Sequence, residues 1–476
     1  PRPEFGNIRV RLEPEADGIR IYGTADPMVL RSPGVQWNIV SDGIQETAHA
    51  EVDPSQGPVI LELRLGADDL GPSAVPEPER RAESESYWKD WADRLTLPPL
   101  KPDLMKRSAL TLRGLVHADS GSIMAAATTS LPEEIGGVRN WDYRYCWLRD
   151  AALTASALVN VGSTVEAENY LSWVHGVLES VSGPERLHPL YTLWGLGLPP
   201  EAVIDELPGY AGSRPVRVGN AANQQVQLDV FGPIVDLISS LAHNRRARGR
   251  RGKEALSDDD WSLVRAMVEA VERRWSEPDH GIWEIRGNPR HHVYSKVMGW
   301  MTIDRALTLA RKFDRETEPS WETLRSTIRA EVLEQGWNDE VQSYTAAYDG
   351  TDLDAATLHI GLSGLIDPSD PRFAATVTAT ERELRSGMTV YRYHHDDGLP
   401  GGEGGFHLCA AWLVEAYLLI GQRSEAEALF AQLVAVAGPT GLLSEEYDPV
   451  AERSLGNHPQ AYSHLGLLRC AALLSS

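Results

Sequence analysis

From about residue 103 to the end of the chain, apolar residues recur at helical spacing, and the connections between successive helical segments alternate between short and long. Twelve segments read as helices, near 103–117, 148–161, 165–181, 220–243, 258–275, 295–313, 320–335, 354–366, 371–386, 405–420, 423–437 and 459–475. Start signals such as Ser257-Asp258-Asp259-Asp260 and Asp370-Pro371 support their placement. Alternate connections are brief (162–164, 314–319, 367–370, Gln422), while those between are long: 139–150, 209–220, 281–294, 338–354, 391–404 and 444–459. In a chain of antiparallel helical hairpins every second connection lies at the same end, so six long loops meet on one face. No strand runs separate the helices, which excludes a parallel α/β sheet. The spacing of roughly 50–75 residues per unit is longer than most helical solenoids use. The expected fold is therefore mainly α, an (α/α)6 barrel of six helical hairpins over residues 100–476 with a funnel at one mouth.

The amino-terminal part is built differently. Ile8/Val10/Leu12, Ile19/Ile21, Val35/Trp37/Ile39 and Val59/Leu61/Leu63/Leu65 alternate with polar residues and are separated by Gly, Pro and Asp. They predict part of an antiparallel β-sandwich over residues 1–70. Residues 71–99 read as a linker with a helix around 79–95, ended by Pro98 and Pro99. The first residue is proline, so the sandwich is expected to be incomplete.

The formal net charge of −23 argues against nucleic acid and anionic membranes as partners. No apolar run reaches the length of a membrane span. Three cysteines, Cys146, Cys409 and Cys470, form neither a disulfide framework nor a metal-type spacing, so a cytoplasmic location is expected, with export left open by the incomplete amino terminus.

The long loops hold the unusual chemistry. Residues 139–150 (Arg-Asn-Trp-Asp-Tyr-Arg-Tyr-Cys-Trp-Leu-Arg-Asp) place aromatics, arginines and aspartates at one helix start. Sugars are bound by that combination, with flat rings against C–H faces and charged forks on hydroxyls. An Arg/Asp network serving only the helix entrance is the plain structural alternative. Two carboxylates stand out further along. Glu284 follows Trp283 between aliphatic residues, surroundings that keep a carboxyl protonated as a general acid requires. Glu445 lies in an acid-rich loop, Ser444-Glu445-Glu446-Tyr447-Asp448, where a carboxylate is expected to stay ionised. The pairs His291-His292 and His394-His395 lack ligand spacing, and Gly401-Gly402-Glu403-Gly404-Gly405 lacks the Lys-Ser/Thr of a phosphate loop, so neither a metal nor a cofactor is expected.

These segments resemble glycoside hydrolase family 15, the family of glucoamylases and of bacterial trehalase-like and glucodextranase-like enzymes. The resemblance rests on residues 140–151, Ser213-Arg-Pro-Val-Arg-Val-Gly-Asn220, Gly281-Ile-Trp-Glu284, Glu403-Gly-Gly-Phe406, Ser444-Glu-Glu-Tyr-Asp448 and Gly456-Asn-His-Pro-Gln-Ala461, in order along the barrel segment. It implies Glu284 as general acid and Glu445 as general base. It further implies Arg149 and Asp150 as the grip on the terminal glucose, Tyr143 and Trp147 as walls of that subsite, Trp283 as a further substrate-binding residue, and Arg392 as a contact to the next sugar. Three departures speak against long α-1,4-glucans: Ile285 stands where fungal members carry an acid, Glu446 stands where they carry glutamine, and no starch-binding module follows the last helix. The implied activity is an inverting exo-α-glucosidase acting on small α-glucosides such as trehalose or isomaltose. A phosphorolytic enzyme on the same barrel and an inactive sugar-binding protein are the alternatives.

Overall fold

Alternation near the amino terminus does produce strands. In the computed structural model, which describes all residues Pro1–Ser476, β1 (Arg11–Glu15), β2 (Gly18–Tyr22) and β3 (Met28–Arg31) pair antiparallel. A hairpin of β4 (Asn38–Ser41) and β5 (Glu46–His49) follows, and β6 (Glu62–Leu65) completes the sheet beside β3. Val10, Leu12, Ile19 and Ile21 are buried beneath Met28, Leu30, Trp37, Ile39 and Ala48. The last strand departs from expectation, because Leu61, Leu63 and Leu65 are exposed. Its inward positions carry Glu62 and Arg64, which pair at 2.9 Å and draw in Ser73 and Arg80. Polar pairing there replaces apolar burial. Helix α1 (Glu77–Asp93) belongs with these strands in a unit Pro1–Asp93; the second unit is Arg94–Ser476.

The second unit holds α2 (Pro102–Gly114), α3 (Leu148–Asn160), α4 (Val165–Glu179), α5 (Phe231–Ala247), α6 (Asp258–Arg274), α7 (Val293–Phe313), α8 (Ser320–Gln335), α9 (His359–Leu362), α10 (Pro371–Leu384), α11 (His407–Leu419), α12 (Arg423–Ala435) and α13 (Ala461–Leu474). Helices α3, α5, α7, α9, α11 and α13 touch in that order, and α13 returns to α3. That closes the inner ring. The remaining six pack outside it, α4 on α3, α6 on α5, α8 on α7 and α12 on α11 among them. The burial patterns explain the sorting. Every residue of α11 from His407 to Tyr417 is buried, whereas α12 buries only the stripe Ala426, Leu429, Phe430 and Leu433. The expected caps form as well: Ser257 and Asp260 make a reciprocal capping box, and Asp370 caps α10 ahead of Pro371.

Two expected helices are shorter than their periodicity implied. Residues 220–230 form single 3-10 turns, and α5 starts only at Phe231. Asn220 spends its side chain on the backbone of Ala222, and Gln227 and Asp229 both bind Arg149, so this stretch is shaped by the mouth of the barrel. The segment 354–366 becomes a 3-10 turn, Ala355–Leu358, followed by the single turn α9. Gly361 of α9 lies against the Phe373 ring, where a Cβ would come within 2.3 Å, so the close approach of α10 fixes this geometry. No helix is long and apolar enough to cross a membrane.

Candidate active site

All six long loops enter an inner helix at its amino-terminal end, so their residues collect at one mouth of the ring. There residues from five of them, all but 338–354, line a pocket open to solvent. Tyr143, Trp147, Arg149, Asp150, Trp283, Glu284, Arg392 and Glu445, all the residues singled out from sequence, line it. These residues come from four different loops. A solvated-surface reading of either glutamate is therefore excluded.

Glu284 sits at the end of a tight turn after Gly281 and has a left-handed backbone, φ 62°. Such a conformation is uncommon for a glutamate and is held here from outside. The Gln225 amide donates to the Glu284 carbonyl at 3.0 Å, and Ile285 N–H donates to the His280 carbonyl at 3.2 Å. The Trp147 indole N–H donates to Glu284 Oε1 at 2.6 Å. Burial pushes its carboxyl above the ordinary range, against the smaller opposing effects of Trp147 and Arg149. The neighbouring Trp283 turns its N–H away to Asp354, at 2.9 and 3.0 Å, and packs edge-on against Phe406. That lock holds the turn bearing Glu284 against the barrel.

Glu445 immediately precedes a short strand at the mouth, Glu446–Asp448, which pairs antiparallel with Arg453–Leu455. Its backbone carbonyl accepts from His407 N–H, and its N–H donates to the Asn457 carbonyl. The Tyr143 hydroxyl donates to Glu445 Oε1 at 2.8 Å, while Oε2 has no hydrogen-bond partner. Gly456 makes room for this side chain, since a Cβ at that position would lie 2.8 Å from Oε2. The polar loop expected around Glu445 does not leave it open to solvent. The residue is buried, and its carboxyl is pushed well up, first by burial and then by the charge of Glu133. The signal was invisible locally because Glu133 arrives from a different loop.

Arg149 and Asp150 are both cavity wall and buried network. Arg149 donates to Tyr462 at 2.6 Å, to Gln227 at 3.0 Å and to Asp229 at 2.9 Å, and Tyr462 donates to Asp150 at 2.7 Å. Burial raises the Asp150 carboxyl to about 6 despite Arg149 beside it. Arg392 forms a buried bidentate pair with Glu403 and lies over the Phe406 ring, 4.3 Å from its centroid. Sequence reading missed Glu133, Arg139, Trp141, Arg286 and Tyr462, which also line the cavity. Trp141 was inside the aromatic segment but unassigned; it is flanked by the Arg217 and Arg286 guanidiniums at 4.5 and 4.8 Å, both of which bind Glu201. The histidine pairs have ordinary roles, with His291 stacked on Tyr348 and His395 on Tyr393. All three cysteines are free and buried.

Comparison with known proteins agrees with this architecture. Residues 100–472 match the profile of Glycosyl hydrolases family 15. The chain belongs to that family. Residues 1–88 match the domain described as Trehalase-like, N-terminal. Among similar proteins, "Trehalase" of Mycobacterium tuberculosis is 39% identical over 395 residues, covering 81% of this chain and 56% of its own length. "Trehalase" of Thermoplasma volcanium is 36% identical over 397 residues, covering 83% of this chain and 62% of its own length. The chain thus spans less than two thirds of these relatives. A bacterial glucoamylase solved with acarbose superposes with a TM-score of 0.72 at 13% identity, over 96% of this chain and 73% of that one. At that identity the likeness speaks for the family 15 fold alone.

Proposed function

We propose that this chain forms the catalytic part of an inverting exo-α-glucosidase that hydrolyses the terminal glucosyl unit of small α-glucosides, trehalose foremost. The observation that carries the reading is that Glu284 and Glu445, from separate loops, line one pocket, with Arg149 and Asp150 in its wall. Glu284, kept protonated by burial, gives its proton to the glycosidic oxygen, which leaves with the electron pair of the broken bond. Water forms the new bond to the anomeric carbon from the opposite face and loses a proton to Glu445. The choice of trehalose rests on the relatives named above and on Ile285, which offers no acid to a following sugar of a long glucan. The phosphorolytic alternative is disfavoured because Glu133, Glu403, Glu445 and Glu446 together would repel a phosphate nucleophile.

The test is proton NMR of early turnover on trehalose in phosphate-free buffer. Inversion at one anomeric carbon, with the leaving glucose keeping its own configuration, is expected to give equal α- and β-glucose before mutarotation. Release of α-glucose alone means a retaining mechanism and overturns both glutamate roles; turnover that appears only when phosphate is added selects the phosphorolytic reading, and none with or without it selects the inactive sugar-binding one. Parallel assays on maltose, isomaltose and maltotriose rank the linkages.

Asp150→Asn probes the sugar grip. The amide keeps the size and can still accept from Tyr462, but it loses the charge beside Arg149. We expect kcat/KM to fall by about a hundredfold or more, equivalent to about 2.7 kcal/mol of transition-state binding, with little change in melting temperature. A lowered melting temperature with unchanged kcat/KM returns the pair to a purely structural role.

A further inference from the structure

Segment 225–227 runs extended between two 3-10 turns, with Gln225 at φ −82° and ψ 155° and Gln227 at φ −128° and ψ 109°. Alternation along an extended backbone puts both amide side chains on one face, next to each other. Between them, the Val226 carbonyl accepts from His280 N–H at 2.9 Å, which stitches the segment to the turn that carries Glu284.

The two amides form a chain. Arg149 Nη1 donates to Gln227 Oε1 at 3.0 Å, and Gln227 Nε2 donates to Gln225 Oε1 at 3.2 Å. Gln225 Nε2 then donates to the carbonyls of Glu284 and Ile285 at 3.0 and 3.3 Å. The polarity of this chain is fixed from both ends. A guanidinium has only donors and a peptide carbonyl only accepts, so neither amide can be turned over without setting like groups against each other. Arg149 does not depend on Gln227 for its own place, since Asp229 and Tyr462 accept from it at 2.9 and 2.6 Å. What Gln227 supplies is the donor that orients Gln225. Two residues before Arg149, the Trp147 indole holds Glu284 by its carboxyl at 2.6 Å. The start of α3 thus grips this glutamate at both ends, the carboxyl directly and the backbone carbonyl through two amides. Burial raises the Glu284 carboxyl, and Gln227 opposes that rise by less than Trp147 or Arg149 does.

We infer that Gln225 and Gln227 are positioning residues for the proposed acid: they form a one-way hydrogen-bonded relay from Arg149 to the left-handed turn of Glu284, which holds the proton donor at a fixed separation from the guanidinium that grips the sugar. This rests on the assignment of Glu284 as general acid. Misplacing a donor costs turnover in proportion to how much the leaving group needs its proton, so the relay should matter for a sugar alkoxide and hardly for fluoride.

The test uses Gln225→Met, Gln227→Met and the double variant on trehalose and on α-glucosyl fluoride, with Glu284→Gln as reference. Methionine keeps the length of the side chain and removes the amide. For Gln225→Met, kcat on trehalose is expected to fall by about ten- to a hundredfold, part of what acid assistance supplies, and kcat on the fluoride by no more than about threefold. KM should hold on both, because Arg149 keeps Asp229 and Tyr462. Gln227→Met is expected to show the same split between substrates, and the double variant a split no larger than either single one, because links of one chain are not additive. Equal losses on both substrates, or a raised KM with kcat kept, make Gln225 a wall of the sugar pocket and overturn the inference. A split confined to Gln225→Met cuts the tie to Arg149, and additive splits mean that Gln227 acts on the Glu284 carboxyl by itself; either result overturns the relay. Full activity with a lowered melting temperature leaves the amides as packing and overturns it as well. If Glu284→Gln itself shows no difference between the two substrates, the acid assignment has failed, which is a separate result from any of these.

Discussion

Glu445→Gln is expected to lower kcat on trehalose by about a thousandfold, the scale on which a positioned general base contributes, while substrate still binds. The amide fits the same space, and its oxygen can still accept from Tyr143, as the carboxylate does at 2.8 Å. What it cannot do is take a proton from water. The substitution also deletes one charge from a buried acidic cluster whose members repel one another. The melting temperature should therefore hold or rise as activity falls. That opposite movement separates a residue placed for chemistry from one placed for folding. Steady-state kinetics, calorimetry and substrate binding to the variant check it together; a loss of activity matched by a loss of stability would sink the assignment.

The barrel was legible because two independent signals agreed. Helical periodicity gave the segments, and the alternation of short and long connections told which ends share a face. The structure adds the reason for the alternation: the long loops all lead into inner helices such as α11, buried over nearly their whole length, whereas α12 buries one stripe. The site residues were legible where one loop carried the whole pattern, as in Trp147 to Asp150 or Trp283-Glu284. What stayed hidden was produced by contact between loops distant in sequence. Glu133 follows Leu131-Pro132 in a stretch with no distinctive composition, and only the fold brings it to Glu445 and Glu446. Tyr462 lies one residue past a recognised segment, yet it joins Arg149 to Asp150. The polar, solvent-like surroundings expected for Glu445 failed for the same reason. A polar local sequence does not leave a residue in solvent once loops distant in sequence pack around it. The truncated helices at 220–230 and 354–366 follow that rule as well, since Asn220, Asp229 and Asp354 spend their side chains at the barrel mouth rather than on a solvated helix face.

Glu284→Gln is expected to separate two substrates that differ only in what leaves. Trehalose expels a sugar alkoxide and needs its oxygen protonated, so the loss should lie between about a hundredfold and ten-thousandfold. α-Glucosyl fluoride expels a weakly basic ion and needs little help, so its loss should stay within about tenfold. The geometry makes this a clean substitution. Trp147 donates to Glu284 Oε1 at 2.6 Å, and an amide oxygen placed there accepts the same hydrogen bond. The left-handed turn is held by Gln225 through the backbone carbonyl, which the change leaves alone. The pH profile carries a second signature. Burial raises the Glu284 carboxyl, so in the parent enzyme activity on trehalose falls on the alkaline side as this proton is lost. Glutamine has no proton to lose, and the alkaline limb should vanish from the residual activity while the acidic limb, set by Glu445, remains. Equal losses on both substrates would mean that Glu284 shapes the pocket instead of delivering a proton, and the acid would then have to be sought among the other carboxyls that line it.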